Sequence, residues 1–129
     1  MIQPSTQDYN WLDFGSSPNA TEDGLWQGVS GTNNPCPLGY RLPTETEMNA
    51  LVSAEGITNY TNAASSSLAF SASGLRRRSD GSVSVGSNGY YWTSLVSGAH
   101  ASYRRFDNSG TDPFFINRAH GFGVRCLKD

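Results

Sequence analysis

The chain has 129 residues, a formal net charge of −2 and a hydrophobic fraction of 36%. That length suits one domain, and the near-balanced charge argues against a nucleic-acid partner, which calls for a basic stripe to release counterions. Its 14 glycines, with many Ser and Asn, point away from a helical bundle and towards turn-rich β structure. No apolar run approaches membrane-spanning length and no charged-then-apolar leader opens the chain. The expectation is therefore no membrane insertion, in a domain of a longer protein or in one not exported by a cleaved signal.

Residues 1–34 have little periodicity. Trp11-Leu12-Asp13-Phe14 and Leu25-Trp26 are their apolar clusters. They read as a loop-rich wrap that docks Trp11 and Trp26 onto the core, with a short edge strand around Trp11. Pro35-Cys36-Pro37 begins a rigid turn. Thr44-Glu45-Thr46-Glu47 then carries a capping box, in which the Thr44 hydroxyl accepts from the Glu47 amide and the Glu47 carboxylate reaches back to the Thr44 amide. Met48, Leu51 and Val52 fall on one helical face and Gly56 is a natural stop, so a helix is predicted over about residues 45–55. Glu45 and Glu47 suit the positive end of its dipole, which explains them without catalysis.

Residues 57–67 read as an exposed loop and 68–73 as an alternating strand. Residues 75–85 read as a hairpin turned by Asp80-Gly81, a primed two-residue turn. The run Arg76-Arg77-Arg78 then falls at a solvated strand end. Residues 89–93, 101–106 and 121–127 supply further strands, the last closing the sheet. One helix with five or six short antiparallel strands makes an α+β domain.

Cys36 and Cys126 are the two cysteines. Neither CxxC nor a Cys/His ligand spacing occurs, which argues against zinc. Two readings stay open: a bridge closing a loop of roughly 90 residues, worth about 4–5 kcal/mol in the chain-entropy model, or two buried thiols. The bridge is the expectation, because it would staple the start of the folded core to its last strand.

Two aromatic runs, Tyr90-Tyr91-Trp92 and Phe122-Gly123-Val124-Arg125-Cys126, frame a middle of Gly, Ser, Asn, His, Arg and further aromatics. Rigid amphipathic rings and adaptable hydrogen bonders of this kind make binding surfaces at low entropy cost. The middle is expected to form a surface and not a core, apart from Phe106. Phe114-Phe115 follows Asp112-Pro113 in a turn-like setting where adjacent rings cannot both face inward. At least one of them is expected in solvent as a binding anchor. His100 and His120 have no third ligand in a recognisable spacing and read as surface histidines. No GxSxG marks a serine hydrolase.

The motifs NPCPLGYRLPTETEMNAL (residues 34–51), GYYWTS (89–94) and RAHGFGVRCLKD (118–129) occur in an order that resembles the major paralogous domain proteins first described in Fibrobacter. More closely, the chain is similar to the variable C-terminal domains of diversity-generating retroelement target proteins in phages and bacteria. Both share a C-type-lectin-like fold with the formylglycine-generating enzyme. The resemblance covers about residues 25–129 and leaves residues 1–24 as an N-terminal segment or linker. It implies an α+β, C-type-lectin-like fold of mainly short antiparallel strands with one or two helices and long loops. It further implies a ligand- or receptor-binding domain with no enzymatic activity, catalytic residue, cofactor or metal. Such a domain belongs on a phage tail fibre or a bacterial surface adhesin. Its partner would be a host or cell-surface protein or glycan receptor, and a homo-oligomer would offset weak individual sites by multivalency.

In those target proteins the terminal segment is rewritten at template adenines while the scaffold stays constant. Carried over, the scaffold is Gly89, Tyr90, Tyr91, Trp92, Ala101, Phe106, Arg118, Gly121, Val124, Arg125 and Cys126. The ligand-binding, variable positions are Leu95, His100, Ser102, Tyr103, Arg104, Arg105, Asp107, Asn108, Phe114, Phe115, Asn117 and His120, with Gly123 also variable. Adenine-directed change of an Asn codon cannot produce Lys, Glu, Gln or Met. None of the four occurs between Asn88 and Leu127, whereas the rest of the chain has ten. Asp107, Asp112 and Asn117 could suggest calcium, but the Glu-Pro-Asn and Trp-Asn-Asp motifs of calcium-dependent lectins are absent. Two other functions compete: a non-diversified assembly module of a surface or tail protein, and an oxidase of the formylglycine type. The latter uses a cysteine pair near its C-terminal end, where this chain has only Cys126.

Overall fold

The capping box forms as its spacing dictates. In the computed structural model, which describes residues 24–129, the Thr44 hydroxyl accepts from the Glu47 amide at 3.2 Å and the Glu47 carboxylate accepts from the Thr44 amide at 2.8 Å. These bonds open α1 (Glu45–Ala54), which buries Met48 and Val52. Arg41 ties the same carboxylate at 2.8 Å and reaches Asp129 at 2.7 Å. The Arg41 hydrogen bond, then the Thr44 amide, hold the Glu47 carboxyl down at about 2.

A second helix, α2 (Tyr60–Ser65), stands where a loop was expected. Asn59 caps it by accepting from the Asn62 amide at 3.0 Å, and Ala63 is wholly buried. A segment this short shows no clear apolar period, so the cap was its only sequence signal. Residues 68–73 are not a strand: Ala69 takes a left-handed φ of 46° that interrupts the extended run. Phe70 is nonetheless buried.

The strands are antiparallel. β1 (Tyr40–Arg41) pairs with β7 (Leu127–Lys128), and β2 (Leu75–Arg76) with β3 (Val83–Ser84). β4 (Gly89–Ser97), β5 (His100–Phe106) and β6 (Thr111–Asn117) form a three-stranded sheet in that order. The β2–β3 turn is wider than the expected two residues. Arg77 donates to the Ser82 carbonyl at 2.8 Å and Gly81 to the Arg77 carbonyl at 3.0 Å, with Gly81 at φ 70°. The tail is not one strand over 121–127 either. Gly121 bridges to Arg76 and Gly123 to Tyr91 before β7 begins. The edge strand proposed around Trp11 lies outside the described residues.

Met48, Val52, Ile57, Ala63, Phe70, Tyr91 and Phe106 make the core, with Tyr60 and Leu68 packed against it. The Phe70 ring stands 4.9 Å from Phe106 and 5.0 Å, edge-on, from Tyr91. Cys36 and Cys126 are bridged, with Cα atoms 5.8 Å apart. The bridge joins the turn before β1 to the segment before β7, as the stapling argument required. The chain is thus a mixed α+β domain with two helices and mainly short antiparallel strands.

Candidate binding face

β5 lies between two partners, and its alternation decides which side chains can meet a ligand. Ser102, Arg104 and Phe106 turn towards α1. The Ser102 hydroxyl donates to the Glu45 carboxylate, and Arg104 donates to Asn49 Oδ1 at 2.8 Å and to Thr111 Oγ1 at 2.9 Å. Ser102 is 0% and Arg104 7% exposed. Burial pushes the Arg104 guanidinium below its usual range, against the pull of Asp112 and Glu45. Tyr103, also buried, turns to the opposite face and packs on Phe122 at 4.7 Å and Phe114 at 5.9 Å. These three positions were expected to be outward-facing ligand contacts. The structure corrects them to internal struts, because α1 covers one face of the central strand while Phe114 and Phe122 pack against Tyr103 on the other.

Asp107 is also committed internally. Its Oδ1 accepts from the Ser109 amide at 2.9 Å, the Ser109 hydroxyl at 2.7 Å and the Gly110 amide at 2.9 Å. Those Ser109 bonds, first, hold its carboxyl below the usual range. Its other oxygen lies 3.0 Å from Arg105 Nε. The result is a built turn joining β5 to β6, and not an outward carboxylate.

β6 is the free edge. The turn-like reading of residues 112–115 missed it because proline normally interrupts a ladder. Asp107 N–H donates to the Gly110 carbonyl and Arg118 N–H to the Ala99 carbonyl. The alternation of bonded pairs between those two points places Pro113, opposite Arg104, in a non-hydrogen-bonded pair. Its missing N–H faces outward, where no partner is lost. Phe114 and Phe115 then fall on opposite faces of the edge, 36% and 48% exposed. The expectation of at least one ring in solvent holds for both. The Arg105 guanidinium lies over the Phe114 ring at 4.5 Å.

The remaining positions divide. Leu95, at the irregularity between Trp92 and Val96, is exposed, as are His100 and Asn108. Asn117, opposite His100, and His120 are half-buried. Burial, then Arg78 and Arg77, hold the His120 imidazole below its usual range. No group of three or more metal-ligating side chains gathers among the described residues. Among those residues, too, no helix is long and apolar enough to cross a membrane.

One feature escaped sequence reasoning: a cavity of about 330 Å³ walled by Trp26, Trp92 and Phe122, with Arg118 at its lining. Its walls come from three separated stretches, so no local motif could reveal it. None of the expected ligand residues lines it.

Fold and site together define an α+β domain with an aromatic free edge. Comparison with family models, with curated proteins and with solved structures finds no match.

Proposed function

We propose that this chain is a ligand- or receptor-binding domain without enzymatic activity, built on a C-type-lectin-like scaffold. It would act at a phage tail or bacterial cell surface, with a retroelement varying its C-terminal face. The observation that carries this reading is the edge strand β6, which exposes Phe114 beside Arg105 on one face and Phe115 on the other. Exposed aromatic anchors flanked by Arg and Asn are what recognition surfaces use. Burial of Ser102, Tyr103 and Arg104, the turn bonds of Asp107 and the close approach of Ser73 and Tyr90 to Gly123 narrow the variable set to Leu95, His100, Arg105, Asn108, Phe114, Phe115, Asn117 and His120, since substitutions there leave the core intact.

Sequencing the DNA flanking the gene tests the proposal. A near-repeat of the terminal coding segment beside a reverse-transcriptase gene is expected, with adenine mismatches at the exposed codons and few at those of Ser102 and Arg104. A flank without such a repeat, or mismatches concentrated on the buried codons, would overturn it.

A further inference from the structure

We propose that the cavity between residues 25–35, β4 and the C-terminal segment is a second, constant binding site, and that its ligand is a small aromatic carboxylate. This does not rest on the variable face, because the cavity is lined by framework residues. Trp92, Ala101, Arg118, Gly121 and Val124 all belong to the expected scaffold.

The volume, about 330 Å³, lies at the lower end of small-molecule sites and suits a ligand of about one or two rings. The walls are aromatic and already assembled. Trp92 packs on Phe122 at 4.4 Å, and Phe122 is clamped from behind by Tyr103 at 4.7 Å and Tyr90 at 5.3 Å. A planar ring can meet these faces by offset or edge contacts. Trp26 also lines the cavity, and its loop is tied down where the Gln27 side-chain amide donates to the Ser94 carbonyl. That loop is closed on itself by Asn33 N–H to the Leu25 carbonyl at 2.6 Å. Strand and tail are joined by Trp92 N–H to the Gly123 carbonyl at 3.0 Å and Gly123 N–H to the Tyr90 carbonyl at 2.8 Å. The Cys36–Cys126 bridge holds neighbouring Pro35 near Val124. Walls held this way need little ordering when a ligand enters, which favours affinity.

The anionic half of the ligand follows from Arg118. Among the described residues of the lining it is the charged one, its guanidinium lying over the Trp26 ring at 5.5 Å and donating to the Gly98 carbonyl. A guanidinium beside stacked aromatic walls is suited to a carboxylate carried on an aromatic ring. Asn33 and Thr93 add polar groups to the lining.

Isothermal titration calorimetry of the full chain with indole-3-acetate, indole and tryptamine tests this. Saturable one-to-one binding of indole-3-acetate is expected, at least about tenfold tighter than tryptamine. Arg118→Met should remove that preference and leave indole affinity unchanged. Two further variants close the site by different routes: Ala101→Leu fills it, and Val124→Trp plugs it from a position 38% exposed, outside the core. Both should abolish binding of all three probes. Phe115→Ala, which probes the variable face, should change nothing here, so failure of either proposal is separable from failure of the other. Absence of saturable indole-3-acetate binding, equal affinity for tryptamine, or binding that survives both Ala101→Leu and Val124→Trp would overturn the site.

Discussion

β5 and β6 are neighbours joined by one tight turn, and both carry aromatic residues, yet they have opposite fates. β5 has Phe106 at 0%, Ser102 at 0% and Arg104 at 7% exposure, while β6 shows Phe114 at 36% and Phe115 at 48%. Composition does not separate HASYRRF from TDPFFIN in that way. Sheet order does: β5 is central and roofed by α1, whereas β6 has one paired edge and one free edge. An arginine inside and a phenylalanine outside are consistent once each polar atom is followed to its partner. Arg104 is satisfied by Asn49 and Thr111, and Pro113 removes a donor from the free edge, which discourages unwanted strand addition there.

Phe106→Ala is the harshest way to probe the comparison. It should cost about 3–5 kcal/mol by opening a cavity against Phe70 and Tyr91, read as a shift in chemical-denaturation midpoint at unchanged slope. A cost below about 1 kcal/mol would mean that β5 is not central. Arg104→Ala comes next, at about 1–3 kcal/mol, since it empties the buried Arg104 position and removes its hydrogen bonds to Asn49 and Thr111. Were Arg104 a surface ligand contact, stability would hold and only binding would fall.

The turn between the strands supplies a pH test. The folded-state pKa of Asp107 is depressed, so its stabilisation is present above the unfolded value of 3.8 and is lost as pH falls through the lower folded value. Acidification below about pH 4 should loosen β6 before β5, seen as faster amide exchange in residues 111–117 than in 100–106. Asp107→Asn should remove that pH dependence. Simultaneous loosening of both strands would argue that the turn does not hold the edge. Phe115→Ala should be the mildest change, within about 0.5 kcal/mol in stability, while reducing binding of a receptor to the edge. A large drop in Tm would place Phe115 in the core instead.

Much of the scaffold was legible. The Thr44–Glu47 box, the α1 stop at Gly56, the strands around Tyr91 and Phe106 and the Cys36–Cys126 bridge each follow from local chemistry or from stapling logic. What was misread shares a cause. α2 was too short to show a period, residues 68–73 alternate in pattern but bend at Ala69, and Pro113 made a genuine edge strand resemble a turn. Among the candidate ligand residues, Ser102 and Arg104 were placed outside by the resemblance to variable positions, but both found partners on α1.

By itself, the amino-acid sequence determined the α+β class, the helix from its cap, and the concentration of recognition-type residues in the last third of the chain. Those are properties of local spacing and composition, which adjacent residues impose on one another. Only the tertiary structure decided which of those residues face solvent, and that Trp26, Trp92 and Phe122 wall a common cavity. Exposure and enclosure depend on what packs from distant parts of the chain, and no short window of sequence contains that information.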